Sequence, residues 1–283
     1  MPSTEAPTTT SPKITVVTPS YNQAEFLEQT IRSVLDQGYE NLEYLVIDGG
    51  SDDGSRQVIE RYADRLAHWV SEPDEGQSDA IAKGFARATG EILCWVNSDD
   101  VLLPGSLLAV ADYFASHPEA ETLSAGAYSI DADGEPLADW FGAYTLGVPA
   151  GYDRLRFYDQ DGVFQMATFW RRSAYEAVGG LDRSLQFVMD RDLFTRLAKR
   201  RPFDTLPKFL ACFRVHQAAK STTIQPVRQA ETQELLRRYG VDRHSPVVQK
   251  LMYYRYRVPS LSRKAWLGLL AASGAVRRGK VAA

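Results

Sequence analysis

The first hundred residues alternate short β-prone apolar runs with amphipathic helical stretches, and few folds accommodate that order. Ile14 to Thr18, Leu42 to Ile47, His68 to Ser71 and Glu91 to Val96 read as strands. Between them, Leu27, Ile31, Val34 and Leu35 mark one helical face. Val58 to Leu66 continues a second helix, and Ser78 to Ala88 forms a third. Asn22 and Glu25 have the N-cap and N3 spacing of a capping box ahead of the first helix. Such repeated strand–helix–strand order predicts an α/β fold, a mostly parallel sheet with helices on both faces.

Parallel strands of such a sheet finish along one edge, and ligands bind beyond those carboxyl ends. Three polar turns fall there: Pro19 to Asn22, Asp48 with the GGSDDGS cluster behind it, and Asn97-Ser98-Asp99-Asp100. Asp99 and Asp100 close a buried strand, where adjacent carboxylates repel each other and are costly to desolvate. Mg²⁺ or Mn²⁺, with phosphates completing the shell, would relieve that cost. The plainer alternative is that both cap a helix beginning near Pro104. Asp48 could accept from a base imide or a ribose hydroxyl, or simply bond its own turn. Thr18 to Asn22 contains neither a G-x-G-x-x-G nor a Walker loop, which argues against a dehydrogenase or a P-loop kinase.

The second half is less regular. Helices are expected at Pro104 to Ser116, Val188 to Lys199 and Gln229 to Tyr239, with a short helix stopped by Gly179 and Gly180. Leu123 to Ile130, Val163 to Arg171 and Thr205 to Val215 read as strands. Leu137 to Phe141 would form a hairpin with the first of these across a turn beginning Asp131-Ala132-Asp133-Gly134. Cys94 and Cys212 lie in apolar strand-like runs and read as buried thiols of a reducing compartment, so the expected location is cytoplasmic. No apolar run has the length of a membrane span.

Charge is unevenly spread. Nine positive residues and no negative one follow Asp242, so the preceding 242 residues carry −13 against a net charge of −4. A cationic stretch with Tyr253, Tyr254, Tyr256 and Trp266 suits peripheral contact with an anionic membrane face, or packs back on the acidic body. No recognition motif supports a nucleic-acid partner.

Four motifs in order carry a resemblance: TPSYN at Thr18 to Asn22, IDGGSDDGS at Ile47 to Ser55, EPDEGQSDAIAKG at Glu72 to Gly84, and GEILCWVNSDD at Gly90 to Asp100. Together they resemble family 2 glycosyltransferases of the GT-A fold over roughly residues 13 to 220. The resemblance implies a Rossmann-like domain over residues 13–240, with a nucleotide-binding half (13–100) and an acceptor half (101–240). A disordered N-terminus (1–12) and a basic helical extension (241–283) would flank it. It also implies a nucleotide-diphosphate sugar donor lying across the strand ends, with a DXD-type motif holding Mg²⁺ or Mn²⁺ on the diphosphate.

Carried over by position, Pro19, Tyr21 and Asp48 would line the base and ribose. Asp74, Gly76, Ser78 and Asp79 would lie near the ribose or donor sugar. Asn97 stands where many members have the first acid of the motif, and it and Ser98 would contact the nucleotide sugar. Asp99 would lead the metal ligands with Asp100 next, and His216 in FRVHQAAKS would bind the metal or diphosphate. Gln165 to Asp182 resembles the acceptor-side strand, with Thr168 and Trp170 facing the acceptor; a plain packed strand is the alternative. In FVMDRDLFTRL, Asp190 would be the catalytic base and Asp192 an orienting group on the acceptor side. Gln225 and Arg228 have part of a Q-x-x-R-W spacing, but Gln229 replaces the Trp, so the expected enzyme is non-processive. The expected reaction is a single inverting displacement that adds a sugar to a glycan or lipid-linked acceptor, as in polysaccharide biosynthesis. A non-catalytic nucleotide-sugar or glycan-binding module and a sugar nucleotidylyltransferase are the alternatives.

Overall fold

The computed structural model describes residues 11–137, 163–220 and 224–240. Most of the expected strand at Leu137 to Phe141 and the cationic stretch 241–283 lie outside the described residues. Eight strands among those described form one sheet: β1 (Ile14–Ser20), β2 (Leu42–Asp48), β3 (His68–Ser71), β4 (Ile92–Trp95), β5 (Val101–Leu102), β6 (Thr122–Ile130), β7 (Thr168–Arg171) and β8 (Asp204–Arg214). Their order is β3-β2-β1-β4-β7-β6-β8-β5. The helices are α1 (Ala24–Leu35), α2 (Ser55–Glu60), α3 (Gln77–Arg87), α4 (Ser106–Ser116), α5 (Arg172–Ala177), α6 (Met189–Arg200) and α7 (Gln225–Arg238).

The first four strands are parallel neighbours, as the alternation predicts. Beyond β4 the sheet is mixed: β7 runs antiparallel to β4 and β6, β8 lies parallel to β6, and β5 closes the edge antiparallel to β8. Two departures from the expected elements are local. The second helix ends at Glu60 and resumes as a 3₁₀ turn, Ala63–Arg65. The strand expected from Val163 opens with another, Gln165–Ala167.

Period-two alternation sorts the parallel strands onto two cores. Ile14, Val16, Tyr44, Val46, Ile92 and Cys94 face one layer with Leu27 and Ile31 of α1 and Val110 and Phe114 of α4. Val17, Leu45, Ile47, Leu93 and Trp95 face the other with Ile81 and Phe85 of α3 and Leu193 and Phe194 of α6. Helix α3 lies close on the sheet because Gly84 has no side chain: a Cβ there would stand 2.5 Å from Val17.

The capping box is a correction. Asn22 takes a left-handed φ of 50° and Gln23 is the N-cap, without a side-chain cap bond. The cap comes from a neighbouring loop, where the Asp53 carboxylate accepts from the Ala24 N–H at 2.8 Å. Asn22 accepts instead from the Asp52 N–H at 3.0 Å, so the two loops cross-brace each other.

Candidate active site

Parallel pairing brings the polar strand ends to one rim. Ser20 stands opposite Asp48, and Asp48 opposite Ser71. Tyr21 projects from this rim 64% exposed, whereas Pro19 is buried beneath it. Asp48 is fully buried, accepting from the Ser51 N–H at 2.9 Å and the Ser71 hydroxyl at 2.7 Å. Its turn-bonding role is thus realised, and it ties the loops after β2 and β3 together. Ser20 Oγ is buried at the same rim without a hydrogen-bond partner. Asp74 accepts from the Gly76 N–H at 2.7 Å, and burial raises its pKa. It presses on the β2 loop so closely that a Cβ on Gly49 would lie 2.8 Å from its Oδ2. Gly76 itself has a φ of 110°, and a side chain there would meet Gln186 Oε1 at 2.5 Å.

Ser78 and Asp79 are buried and bonded within the protein, Asp79 accepting from the Glu75 N–H at 3.2 Å, a correction to their expected donor contacts. The Ser78 hydroxyl is fully buried and donates to the Leu185 carbonyl. Asp79 is paired with Lys83 at 3.1 Å and with Arg183. These bonds pin α3 to the loop before α6.

The Asn97–Asp100 turn leaves β4 in the middle of this rim. Ser98 holds its place through its carbonyl, which accepts from Thr30 at 2.9 Å, and its hydroxyl lies 3.4 Å from Gln23 Oε1. Asp99 and Asp100, adjacent in sequence, have different surroundings. Asp100 is completely buried. Its Oδ1 accepts from the Arg214 N–H at 3.0 Å and its Oδ2 from the Asn97 amide at 3.1 Å. Burial, and then the neighbouring Asp99 charge, raise its pKa well above the ordinary carboxylate value, against those two bonds. Asp100 therefore braces the turn rather than facing a metal, and α4 starts at Ser106 without a side-chain cap from either acid. Asp99 remains at the rim, its Oδ2 3.1 Å from His216 Nε2. His216 rests on Phe26 of α1 with ring centroids 4.5 Å apart.

Arg214 secures this corner. It is 1% exposed. Its guanidinium donates to the carbonyls of Asp99 at 2.9 Å, Asp131 at 3.0 Å and Ala132 at 2.9 Å, and to Gln29. It lies 4.9 Å over the Phe26 ring.

A directed polar chain enters from the other side. Lys220 Nζ donates to Gln77 Oε1 at 2.9 Å, and Gln77 Nε2 donates to Asn97 Oδ1 at 2.7 Å. An ammonium can only donate, so the amide orientations follow in turn and the last N–H points at Asp100. Asn97 is thus both acceptor and donor in a chain that a carboxylate at its position could not complete.

Asp190 sits half-buried in the first turn of α6. Burial raises its pKa, while the charges of Arg191 and Lys220 and the Arg191 N–H work the other way. The turn is held from α7: Glu231 accepts the backbone N–H groups of Gln186 at 2.6 Å, Phe187 at 2.7 Å and Val188 at 3.1 Å. Asp192 is a correction. It is 1% exposed, bound to Arg196, to Arg238 at 3.1 Å and to the Tyr239 hydroxyl at 2.7 Å, and it anchors α7 rather than facing an acceptor. Thr168 and Trp170 are corrected likewise. Both are fully buried, Thr168 donating to the Phe164 carbonyl at 2.7 Å and Trp170 packing against Trp95, Phe85 and Phe194. The packed-strand alternative describes them.

Asp99 and His216 offer one carboxylate and one imidazole, a donor pair that suits Mn²⁺ or Mg²⁺ only with phosphate oxygens and water completing the shell. Among the described residues no cluster of three acidic, histidine or cysteine side chains forms a closed metal site. The residues that sequence reasoning did not assign are Gln77, Arg214, Lys220 and Glu231. Gln77 lay within a quoted motif, and Arg214 stood two places before the marked histidine. Glu231 carried no local signal.

Known proteins resemble this chain in sequence and in fold. The family model described as Glycosyl transferase family 2 matches residues 15–179. An uncharacterized glycosyltransferase of Mycobacterium tuberculosis is 29% identical over 192 residues, covering 67% of this chain and 70% of that protein. The match to a Nostoc glycosyltransferase spans only 33% of that relative's length. Staphylococcus aureus TarS residues 1–349, solved with UDP-GlcNAc, superposes with a TM-score of 0.65 at 16% identity, covering 86% of this chain and 71% of that one. A mannosyltransferase from Pyrobaculum calidifontis, solved with GDP-Man and Mn²⁺, gives 0.60 at 19% identity, covering 95% and 77%. The shared architecture is the GT-A type sheet.

Proposed function

This chain belongs to glycosyl transferase family 2, and from that premise we propose that it moves a sugar from a nucleoside-diphosphate donor to a hydroxyl of a glycan or lipid-linked acceptor, inverting the anomeric centre. The observation that carries the reading is the meeting of Asp99 and His216 at 3.1 Å, from 117 residues apart, on the rim where a GT-A fold receives its donor. The neighbours solved with UDP-GlcNAc and with GDP-Man and Mn²⁺ support a donor of this chemical class.

In this reading Tyr21 and the loops braced by Asp48 and Asp74 receive the base and ribose. Asp99 and His216 hold a divalent cation, which when bound offsets charge on the departing diphosphate. Asp190 accepts the proton of the acceptor hydroxyl as that oxygen bonds to the anomeric carbon. The bond to the diphosphate oxygen breaks on the opposite face, and its electron pair leaves with the nucleoside diphosphate. A carboxylate of raised pKa is a stronger base than an exposed one, which suits Asp190 to the task. Asp100 and Arg214 keep the turn in shape without touching the donor.

The test is a panel of nucleotide sugars incubated with Mn²⁺, Mg²⁺ or excess chelator, followed by NMR of the anomeric product. The expected result is metal-dependent transfer, or slow donor hydrolysis where no acceptor is supplied, with one donor strongly preferred. Turnover unchanged in chelator would refute the metal role, and a product of retained configuration would refute the single displacement. A protein that neither binds nor turns over any donor would overturn the function.

A further inference from the structure

A general base must hold a carboxylate oxygen toward the acceptor hydroxyl. The Asp190 carboxylate is bonded to the backbone of its own turn, its Oδ1 accepting from the Arg191 N–H at 2.7 Å. Where that backbone goes, the carboxylate goes with it. Helix α6 does not fix its own start: Val188 stands at the N-cap, and no side-chain cap bond is made there.

The missing cap comes from α7. One oxygen of Glu231 accepts from the Gln186 N–H at 2.6 Å, and the other accepts from Phe187 at 2.7 Å and Val188 at 3.1 Å. Three consecutive backbone donors thus converge on one side chain. A carboxylate can take all three, because both of its oxygens only accept; an amide has one oxygen and would turn an N–H group toward an N–H group. Arg228 lies one helical turn before Glu231, with its guanidinium 5.5 Å over the Phe187 ring. From the other side, Ser78 of α3 donates to the Leu185 carbonyl, and the Gln186 amide donates to the Glu75 carbonyl at 3.3 Å. The approach to Asp190 is therefore fixed between α3 and α7. Docking of α7 is served separately, by Leu235 and Leu236 in the core and by Arg238 and Tyr239 on Asp192.

Resting on the reading of Asp190 as the base, we propose that Glu231 is a positioning residue for it: its carboxylate fixes the backbone of residues 186–188, and through that backbone the direction of the Asp190 carboxylate. Glu231 moves no proton and touches no substrate. The competing role is a strap that only stabilises the fold.

Hydrolysis of a panel of UDP- and GDP-sugars in Mn²⁺ separates the two roles, with water as the acceptor whose proton Asp190 takes. Glu231→Gln keeps side-chain shape and helix propensity but leaves at least one of the three N–H groups unmatched. It should lower kcat roughly ten- to a hundredfold, the scale of a misplaced catalytic group. Donor affinity, from calorimetric titration, should change less than about threefold. Glu231→Asp keeps the charge and withdraws it by one methylene, so it should lose kcat as well, and it carries the comparison if Glu231→Gln does not fold. In an Asp190→Asn background, Glu231→Gln should cost less than about threefold more, because a residue acting through the base has nothing left to position. A plain strap would lower the melting temperature and leave kcat intact at the assay temperature. Unchanged kcat in Glu231→Gln, full activity in Glu231→Asp, or an equal fold-loss with and without Asp190 would overturn the proposal and leave the donor reading standing. An Asp190→Asn variant as fast as wild type would instead remove the base, and a wild type that binds and hydrolyses none of the donors would overturn the donor reading; either result takes this proposal with it.

Discussion

Restoring an acid at position 97 should damage this protein, although family members often carry one there. The Asn97 amide donates to Asp100 Oδ2 at 3.1 Å. In Asn97→Asp that donor becomes a carboxylate oxygen facing another. Two unit charges at 3.1 Å repel by about 5 kcal/mol at an effective dielectric of about 20. The lost hydrogen bond to a charged group adds about 1.5–3 kcal/mol. Protonation of one carboxyl caps the total, because Asp100 already has a raised pKa and takes up a proton readily. The net cost near pH 7 is roughly 2–4 kcal/mol, within the range for unpaired buried charge. At this chain length that is roughly 5–15 °C in melting temperature. The sign with pH is fixed: a carboxyl whose folded pKa is raised favours the folded state at low pH, and that contribution is lost as pH rises through the folded value. The deficit of Asn97→Asp should therefore be small near pH 5 and grow toward pH 8. Melting curves of both proteins at the two pH values, in chelator to exclude metal binding, are the assay. A variant as stable as wild type at pH 8, or a deficit independent of pH, would refute the directed chain from Lys220 to Asp100.

Three other outcomes are expected. Asp190→Asn should lower kcat by about 10²–10⁴-fold with donor affinity nearly unchanged, and the wild-type rate should rise with pH through a pKa above the usual carboxylate value; an unchanged kcat removes Asp190 as the base. Glu43 resists ionisation through burial, yet bonds from Thr15, Thr89 and Lys13 bring it down to about 2, so it stabilises the fold above the ordinary 4.5 and loses that contribution as pH falls toward 2. Glu43→Gln should cost up to about 3 kcal/mol at pH 7 and little at pH 2, as read from denaturant midpoints. The cationic stretch after Asp242 should drive sedimentation with anionic but not neutral vesicles, weakened by salt and abolished by truncation; equal recovery in the supernatant for both would assign it to packing.

The half of the fold that was legible in the sequence is the half built from local signals. Each of β1 to β4 is a short apolar run with a polar stop, and its alternation encodes which residues face which core. The rim followed, because parallel strands all end on one side. What escaped was decided across long separations. Asn22 read as a helix cap because its spacing to Glu25 fits, but Asp53 on another loop supplies the bond and frees Asn22 for a left-handed turn. Trp170 and Thr168 have the composition of an acceptor platform, and only the sheet order shows that both their sides are covered. Asp190 and Asp192 are two residues apart, and so on different faces of α6. Arg196, four residues after Asp192, was the one local hint that the second acid is structural. Lys220, Arg214 and Glu231 reach the site only through the folded chain.

The grip of Arg214 on the acidic turn has a consequence for biosynthesis. Synthesis runs from the N-terminus, so β1 to β4 and the turn after them leave the ribosome well before β8. During that interval Asp100 has no Arg214 N–H to receive, and the Asp99 carbonyl lacks the guanidinium that later clasps it. The central strand β4 also waits for β7 to cover its second edge. Residues 13–100 hold the four motifs that carry the family resemblance, but a nascent chain that stops there has an acidic turn still lacking its clasp from β8. The rim therefore takes its final shape late, when β8, the last strand among the described residues, comes in beside β6.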